Sequence, residues 1–219
     1  MEWLAIKTGK LMTHRQSIPQ NAIYRMSIYL RCLERLQENA VESVSSETLA
    51  KIAGVTPTQL RKDLTYFGHF GVRGLGYNVA ALTRAIREAL GTSRLQPVIL
   101  VGAGNLGSAL LAYRGFAQAG FEIVAGFDVV GGHRHARRFK QPVMAMERLS
   151  HFVRSRRIKI AILAVPSTVA QEVTNKLVAA GIAGILNFSA IMLQVPEHVS
   201  VNNVNLANEL ENLSYFIKS

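Results

Sequence analysis

The apolar positions follow one spacing up to about residue 91 and another from residue 97 onward. In the first stretch they recur at three- and four-residue steps, the spacing of amphipathic helices. Pro19 suits an early helical position, and Ile23, Met26, Leu30, Leu33 and Leu36 predict one apolar face running to about Gln37. Ser45 to Gly54 predicts a short helix with a serine cap and a glycine stop. Thr56-Pro-Thr-Gln59 then has the form of a capping box with proline at the first helical position, and Leu60, Leu64 and Phe67 make the buried stripe of the helix it opens. Four glycines from Gly68 to Gly76 predict a short hairpin. Asn78 caps a further helix (Val79, Leu82, Ile86, Leu90) that ends at Gly91.

From residue 97 short apolar runs alternate with helical stretches, as a doubly wound parallel sheet requires. Strands are predicted at 98–101, 122–127, 159–165, 184–188 and 201–204. One helix runs from Ser108 to near Gly120, a basic helical stretch follows Asp128, and another helix covers 167–179. Leu206, Leu210, Leu213, Phe216 and Ile217 lie on one face of a last helix, placed to pack on its own sheet or to reach a partner subunit. The expected organisation is a basic lead-in (1–16), a helical domain (17–91), a linker (91–96), a dinucleotide-fold domain (97–204) and a terminal helix (205–217).

The two short helices, separated by a glycine-containing turn, read as a helix-turn-helix whose second member exposes Thr58, Gln59, Arg61, Lys62 and Thr65. The glycine-rich hairpin behind it reads as a wing, with Arg73 suited to a narrow minor groove. A helical hairpin with a glycine loop and solvated charges is the alternative.

In the second half, Val98 to Val101 feeds Gly102-Ala-Gly104-Asn105-Leu106-Gly107. The first glycine of such a motif makes the turn, the second lets a pyrophosphate approach the backbone, and the third packs helix on strand. The helix start offers N–H groups and its positive dipole end. Asp128, about 20 residues on, stands where a carboxylate accepts from an adenosine ribose. Ligands in these sheets lie at the carboxyl ends of strands, which adds Val165, Pro166, Asn187 and Phe188.

Composition narrows the partners. The chain has 219 residues, 49% of them hydrophobic, and a formal charge of +11 that favours an anionic partner such as nucleic acid. No apolar run reaches the roughly 18 residues of a membrane span, and the first ten residues lack the apolar core and cleavage site of a secretory leader. The single cysteine, Cys32, excludes an internal disulfide framework and fits a reducing, cytoplasmic setting, where a buried bystander is expected. His133 and His135 lack companions at ligand spacing, so no metal is expected.

Several blocks together give the chain a family likeness: Ser45-Ser-Glu-Thr-Leu-Ala, Arg61-Lys-Asp-Leu-Thr-Tyr-Phe-Gly68, Arg73-Gly-Leu-Gly-Tyr77, Val101-Gly-Ala-Gly-Asn-Leu-Gly107, Phe127-Asp128, Val165-Pro166 and Gly184-Ile-Leu-Asn-Phe188. Over residues 17 to 217 the chain resembles the Rex family of redox-sensing transcriptional repressors. The resemblance implies a winged helix-turn-helix, a Rossmann domain and a C-terminal helix swapped between the subunits of a homodimer. It implies a palindromic operator, no membrane partner, and release of DNA when NADH replaces NAD as an effector, with no catalytic residues. Residue by residue, Arg61 and Lys62 become major-groove or phosphate contacts, and Arg73 with Gly74 the wing. Tyr66 and Tyr77 either donate to phosphate or pack the wing onto the helix.

The same resemblance implies a switch formed by an arginine of the first helix, a tyrosine after the glycine loop and an aspartate before the swapped helix. Arg31 and Tyr113 match, and the third position is Asn205. An amide lacks the charge-assisted bond that an aspartate would make. The basic loop after Asp128 departs from the family as well. Arg134, Arg137 and Arg138 would suit a ribose 2′-phosphate and hence NADP, or form a solvated face. Two rivals stand beside the repressor: a Rex-like DNA-binding protein with an altered or lost cofactor response, and an NAD(P)-dependent reductase.

Overall fold

A helix of 19 residues, α1 (Gln20–Glu38), buries Ala22, Met26, Tyr29 and Leu33. This face is turned from the expected one. Ile23 is 42% exposed, while Leu30 and Leu36 are only partly buried at its margin. The cause is Tyr29, whose hydroxyl finds a buried acceptor and draws the aromatic residue to the centre of the face. The computed structural model describes residues 18–68, 70–71, 76–129 and 139–217. They fall into two compact units, the first reaching Ser93 and the second starting at Arg94.

In the first unit, β1 (Ser43–Val44) leads into α2 (Ser46–Ala53) and α3 (Pro57–Thr65), and β2 (Tyr77–Asn78) into α4 (Val79–Ala89). Ser45, Thr56 and Asn78 each cap a helix by accepting from a backbone N–H three residues on. The capping box at Thr56 is only half formed. Thr56 Oγ1 accepts from Gln59 N at 3.1 Å, but the Gln59 amide reaches forward to Asp63 instead of back. Gly54 ends α2 in the left-handed region at φ +70°. The strand after the glycine-rich segment pairs antiparallel with β1, Val44 opposite Tyr77, so its ladder partner among the described residues lies between α1 and α2. Gly76, at φ +78°, lies under the Val44 carbonyl, where a Cβ would collide. Leu33, Leu49, Leu60, Leu64, Leu82 and Ile86 fill the core, with Cys32 at its edge. Burial pushes the Cys32 thiol up, away from the reactive thiolate.

The second unit holds six parallel strands, β3 (Gln96–Val101), β4 (Phe121–Asp128), β5 (Val143–Ala145), β6 (Ile160–Leu163), β7 (Gly184–Asn187) and β8 (Ser200–Asn203). Their order is β5-β4-β3-β6-β7-β8, the doubly wound arrangement with its switch point between β3 and β6. Alternate residues of β3 serve opposite faces. Val98 and Leu100 join Leu111 of α5 (Asn105–Ala112). Ile99 and Val101 join Leu149 of α7 (Leu149–Ser155) and Leu177 of α8 (Ser167–Ala180).

Two expectations fail here, both for one helix. The helix after the glycine loop starts earlier, at Asn105, and stops at Ala112, because Tyr113 takes an extended backbone (ψ 114°). Tyr113 lays its ring edge-on to Phe116 at 5.1 Å, covering the place of a Gly115 Cβ, and only the short α6 (Gly115–Gln118) follows. Of the basic helical stretch expected after Asp128, residues 130–138 lie outside the described residues, and the rest forms the strand β5, a 3-10 turn at Met146–Arg148 and α7. Two cations of this region serve the fold. Arg154 Nη2 donates to Ala179 O at 3.0 Å and Lys159 Nζ to Gly181 O at 3.2 Å, at the carboxyl end of α8.

The last element, α9 (Leu206–Ile217), has no buried residue within its own chain. Leu206, Leu210, Leu213, Tyr215, Phe216 and Ile217 are 59–82% exposed. No helix among the described residues is long and apolar enough to cross a membrane.

Candidate functional site

The three glycines after β3 are forced or left open in the pattern a pyrophosphate cradle needs. Gly102, at φ +96°, faces the Ala164 carbonyl at the end of β6, where a Cβ would collide. A Cβ on Gly107 would strike the Gly102 carbonyl, so this glycine sets how closely α5 approaches β3. Among the described residues, Gly104 has nothing within 4 Å of its would-be Cβ. It is also the N-cap of α5, and no side chain among the described residues caps that helix; Asn105 and Leu106, which open it, are both exposed. Asp128, at the end of β4, accepts from Ala103 N at 2.6 Å and so lies against the loop. Val165 borders Gly102 from the other side.

The remaining expected cofactor residues divide. Pro166 is exposed at the start of α8. Phe188 is partly buried against Val98, Leu100 and Ile162. Asn187 is wholly buried: its Nδ2 donates to Ile191 O at 2.9 Å and to Asn203 Oδ1 at 2.8 Å, and its Oδ1 accepts from Ser189 N at 2.9 Å. It is therefore a brace for the loop after β7. Ser189, which sequence reasoning missed, ties that loop to Val165 O at 2.9 Å. Tyr113 stands at the far end of α5 from the glycine loop, about 12 Å away along the helix axis at 1.5 Å per residue. It borders a separate cavity of about 490 Å³ with Arg114, Phe116, Phe121, Phe139 and Lys140.

In the first unit α3 turns Thr58, Arg61, Lys62 and Thr65 outward. Arg61 Nη1 donates to Ser46 Oγ at 2.9 Å and lies 3.5 Å from Glu47 Oε1 at the start of α2. Tyr66 is half-buried. Tyr77 is 7% exposed and packs in the core. Arg73 and Gly74 lie outside the described residues, as do the lead-in 1–16, Arg134, Arg137, Arg138, His133 and His135.

Gln59 is not a free amide on the exposed face. Its Nε2 donates to Asp63 Oδ1 at 2.8 Å. Asp63, another residue the sequence reading passed over, is 0% exposed. It accepts from Arg25 Nε at 2.6 Å and Nη2 at 2.8 Å, and from Tyr29 OH at 2.7 Å. Burial pushes its carboxyl up, but the bonds from Arg25, Tyr29 and Gln59 outweigh this and hold it below the ordinary carboxylate range. The same contact raises the Arg25 guanidinium. Burial, helped by Asp63, raises the Tyr29 phenol. The available signal was an acidic residue amid the polar positions of a helix that otherwise exposes Arg61 and Lys62.

Family models match both units, "Putative DNA-binding protein N-terminus" over residues 17–65 and "CoA binding domain" over residues 93–191. The redox-sensing transcriptional repressor Rex of Desulforamulus reducens is 45% identical over 198 residues, 90% of this chain and 94% of its own length. That of Carboxydothermus hydrogenoformans is 44% identical, covering 92% and 97%. The chain belongs to the Rex family. Among solved structures, RSP in complex with beta-NAD+ and operator DNA superposes with a TM-score of 0.84 at 37% identity, over 91% of this chain and 92% of that one. RSP in complex with beta-NADH gives 0.79 at 35%, over 93% and 95%. The fold is thus that of Rex repressors, a DNA-binding N-terminal unit followed by a Rossmann-like one.

The three switch positions inferred from the Rex resemblance sit as follows. Arg31 is exposed on α1, and Tyr113 is 60% exposed. Asn205 Oδ1 accepts from Ala207 N at 3.0 Å, and its Nδ2 donates to Asn208 Oδ1 at 2.9 Å. Asn205 therefore starts α9 as a cap, a task asparagine and aspartate perform about equally.

Two outcomes are expected. Gly102→Ala and Gly107→Ala cost about 1–3 kcal/mol through backbone overlap, a fall of several degrees in thermal midpoint. Gly104→Ala leaves the midpoint unchanged, as differential scanning fluorimetry of the three variants reads directly. Because the Asp63 carboxyl lies low in the folded state, its contribution to stability is complete above about pH 5 and is lost as the pH falls through its folded value. Urea unfolding from pH 7 down to pH 2 should therefore show a gap between wild type and Asp63→Asn that is constant above about pH 5 and narrows in acid.

Proposed function

We propose that this chain is a repressor that binds a palindromic operator as a homodimer and releases it when NADH replaces NAD in the second unit. The carrying observation is the open cradle at Gly104, between the uncapped start of α5 and Asp128. A pyrophosphate would lie against the bare Gly104 backbone, and the N–H groups of the first turn of α5 would hold it. Asp128 would hold the adenosine ribose, which favours NAD over NADP, while Val165, Pro166 and Phe188 would border the rest of the cofactor. When bound, the cofactor supplies two phosphate charges and a nicotinamide ring whose charge differs between the oxidised and reduced forms. The relatives are named as repressors, and RSP is described with both cofactor forms and with operator DNA. On this reading NADH is an effector in a cytoplasmic regulator, and no residue is assigned a catalytic role.

Arg61 and Lys62 on α3 would contact base edges or phosphates, with Thr58 and Tyr66 beside them and Arg73 and Gly74 supplying the wing. Regulation is a population shift. Two dimer arrangements differ in the spacing of their α3 helices, and the arrangement favoured by NADH no longer spans half-sites about one DNA turn apart. Such a shift requires NADH to bind the two arrangements with different affinity. Arg31, Tyr113 and Asn205 are the proposed coupling residues. Asn205 also supports a second reading, in which DNA binding persists with an altered cofactor response, because a neutral cap lacks the charge that an aspartate would offer an arginine.

Fluorescence anisotropy at fixed salt, on a labelled palindrome from upstream of the chain's own gene, separates the two readings. The repressor reading expects NADH, and not NAD, to strip the protein from DNA. Tight binding indifferent to both cofactors would leave only the second reading. For the dimer, Leu210→Glu with Phe216→Glu on the exposed face of α9 should shift the sedimentation coefficient from dimer to monomer and weaken operator binding, since half-sites would then be engaged singly.

A further inference from the structure

Apolar contacts hold α3 along a single line. Leu60 and Leu64, one turn apart, are its only wholly apolar buried residues, and hydrophobic burial is non-directional. A nine-residue helix held this way keeps freedom to roll about its own axis and to slide along the core. Roll matters here, because Arg61 and Lys62 project from the same turn and a bidentate contact to a base edge tolerates little error.

We infer that Asp63 is the positioning residue that removes this freedom and fastens α3 to α1 as one body. Its two carboxylate oxygens take four hydrogen bonds: two from the Arg25 fork, one from Tyr29 and one from Gln59. The donors come from three directions, two positions on α1 one turn apart and one position a turn earlier on α3. Bonds of this kind are charge-assisted and specific in angle, so they set the roll and register that Leu60 and Leu64 leave undefined. Asp63 follows Arg61 and Lys62 directly in sequence, and the two cations are presented at the angle the carboxylate sets. The same anchor gives α1 a mechanical role. Arg31 lies two residues beyond Tyr29 on that helix and is exposed, so a displacement of α1 applied at Arg31 carries the recognition helix with it. This inference rests on the proposed operator-binding function and adds to it the residue that aims the reading head.

A purely structural ion pair and a positioning one give different results when the network is replaced with shape retained. Asp63→Asn, Tyr29→Phe and the double variant Arg25→Met with Asp63→Leu would be tested as full-length protein, with folding checked by circular dichroism at 25 °C. Each would be titrated against the labelled operator palindrome and against a scrambled duplex of equal length, over a range of salt. The expected result is a loss of preference for the operator, about tenfold for Asp63→Asn and the double variant and about threefold for Tyr29→Phe, the scale of a mis-set base contact. Binding to the scrambled duplex and its salt slope should be unchanged, because phosphate contacts need charge but little precision. Tyr29→Phe is nearly isosteric, so it keeps the test open if Asp63→Asn does not fold. Folded variants that retain the wild-type operator preference would overturn the positioning role and leave Asp63 as a stability residue. If wild type itself shows no preference for the operator, the repressor function fails and not this inference, so the two failures are distinct.

Discussion

The contact between Gly107 and the Gly102 carbonyl sets the geometry on which the second unit depends. With no Cβ between them, α5 packs close against the end of β3, and no side chain among the described residues caps its start. The helix direction, the cover over Val98 and Leu100, and the position of Asp128 against Ala103 N all follow from that approach. A cap supplied by a side chain would satisfy the helix but fill the space. Leaving Gly104 bare keeps the helix start available to a ligand.

The first unit solves a different problem with different means. Its proposed functional surface is a set of long cationic side chains on a short helix, and backbone geometry alone cannot aim them. A buried carboxylate with four donors provides the aim. Buried ion pairs add little net stability over apolar groups of the same size, and their better-attested use is to specify one arrangement among several. Tyr29 at the centre of the α1 face follows from the same need, since its hydroxyl is usable only where an acceptor is also buried.

The elements with strong local signals were legible in the sequence. Ser45, Thr56 and Asn78 cap the helices they were expected to cap, and the runs around Val98, Glu122 and Ile160 are strands in the parallel order. The glycine loop and Asp128 come together because their spacing encodes a local strand-turn-helix unit. What the sequence hid was set by partners distant in the chain. Asn187 reads as a polar residue at a strand end, and only Ile191, Asn203 and Ser189 reveal it as a brace. Gln59 and Asp63 read as surface residues of a basic helix until Arg25 and Tyr29, 38 and 34 residues from Asp63, are placed against the carboxylate. Strand β5 is three residues long and carries no periodicity to detect.

The bare face of α9 has a consequence for the economy of the protein in a cell. Six large apolar side chains stand in water along one helix, and nothing among the described residues covers them. In the proposed homodimer, burial by a second copy would link folding to mass action, so the stability of each molecule would rise with the abundance of the others. A scarce pool of such a chain would be a less durable pool, more open to proteases and to adventitious association. Expression level and turnover would then be coupled through one amphipathic segment.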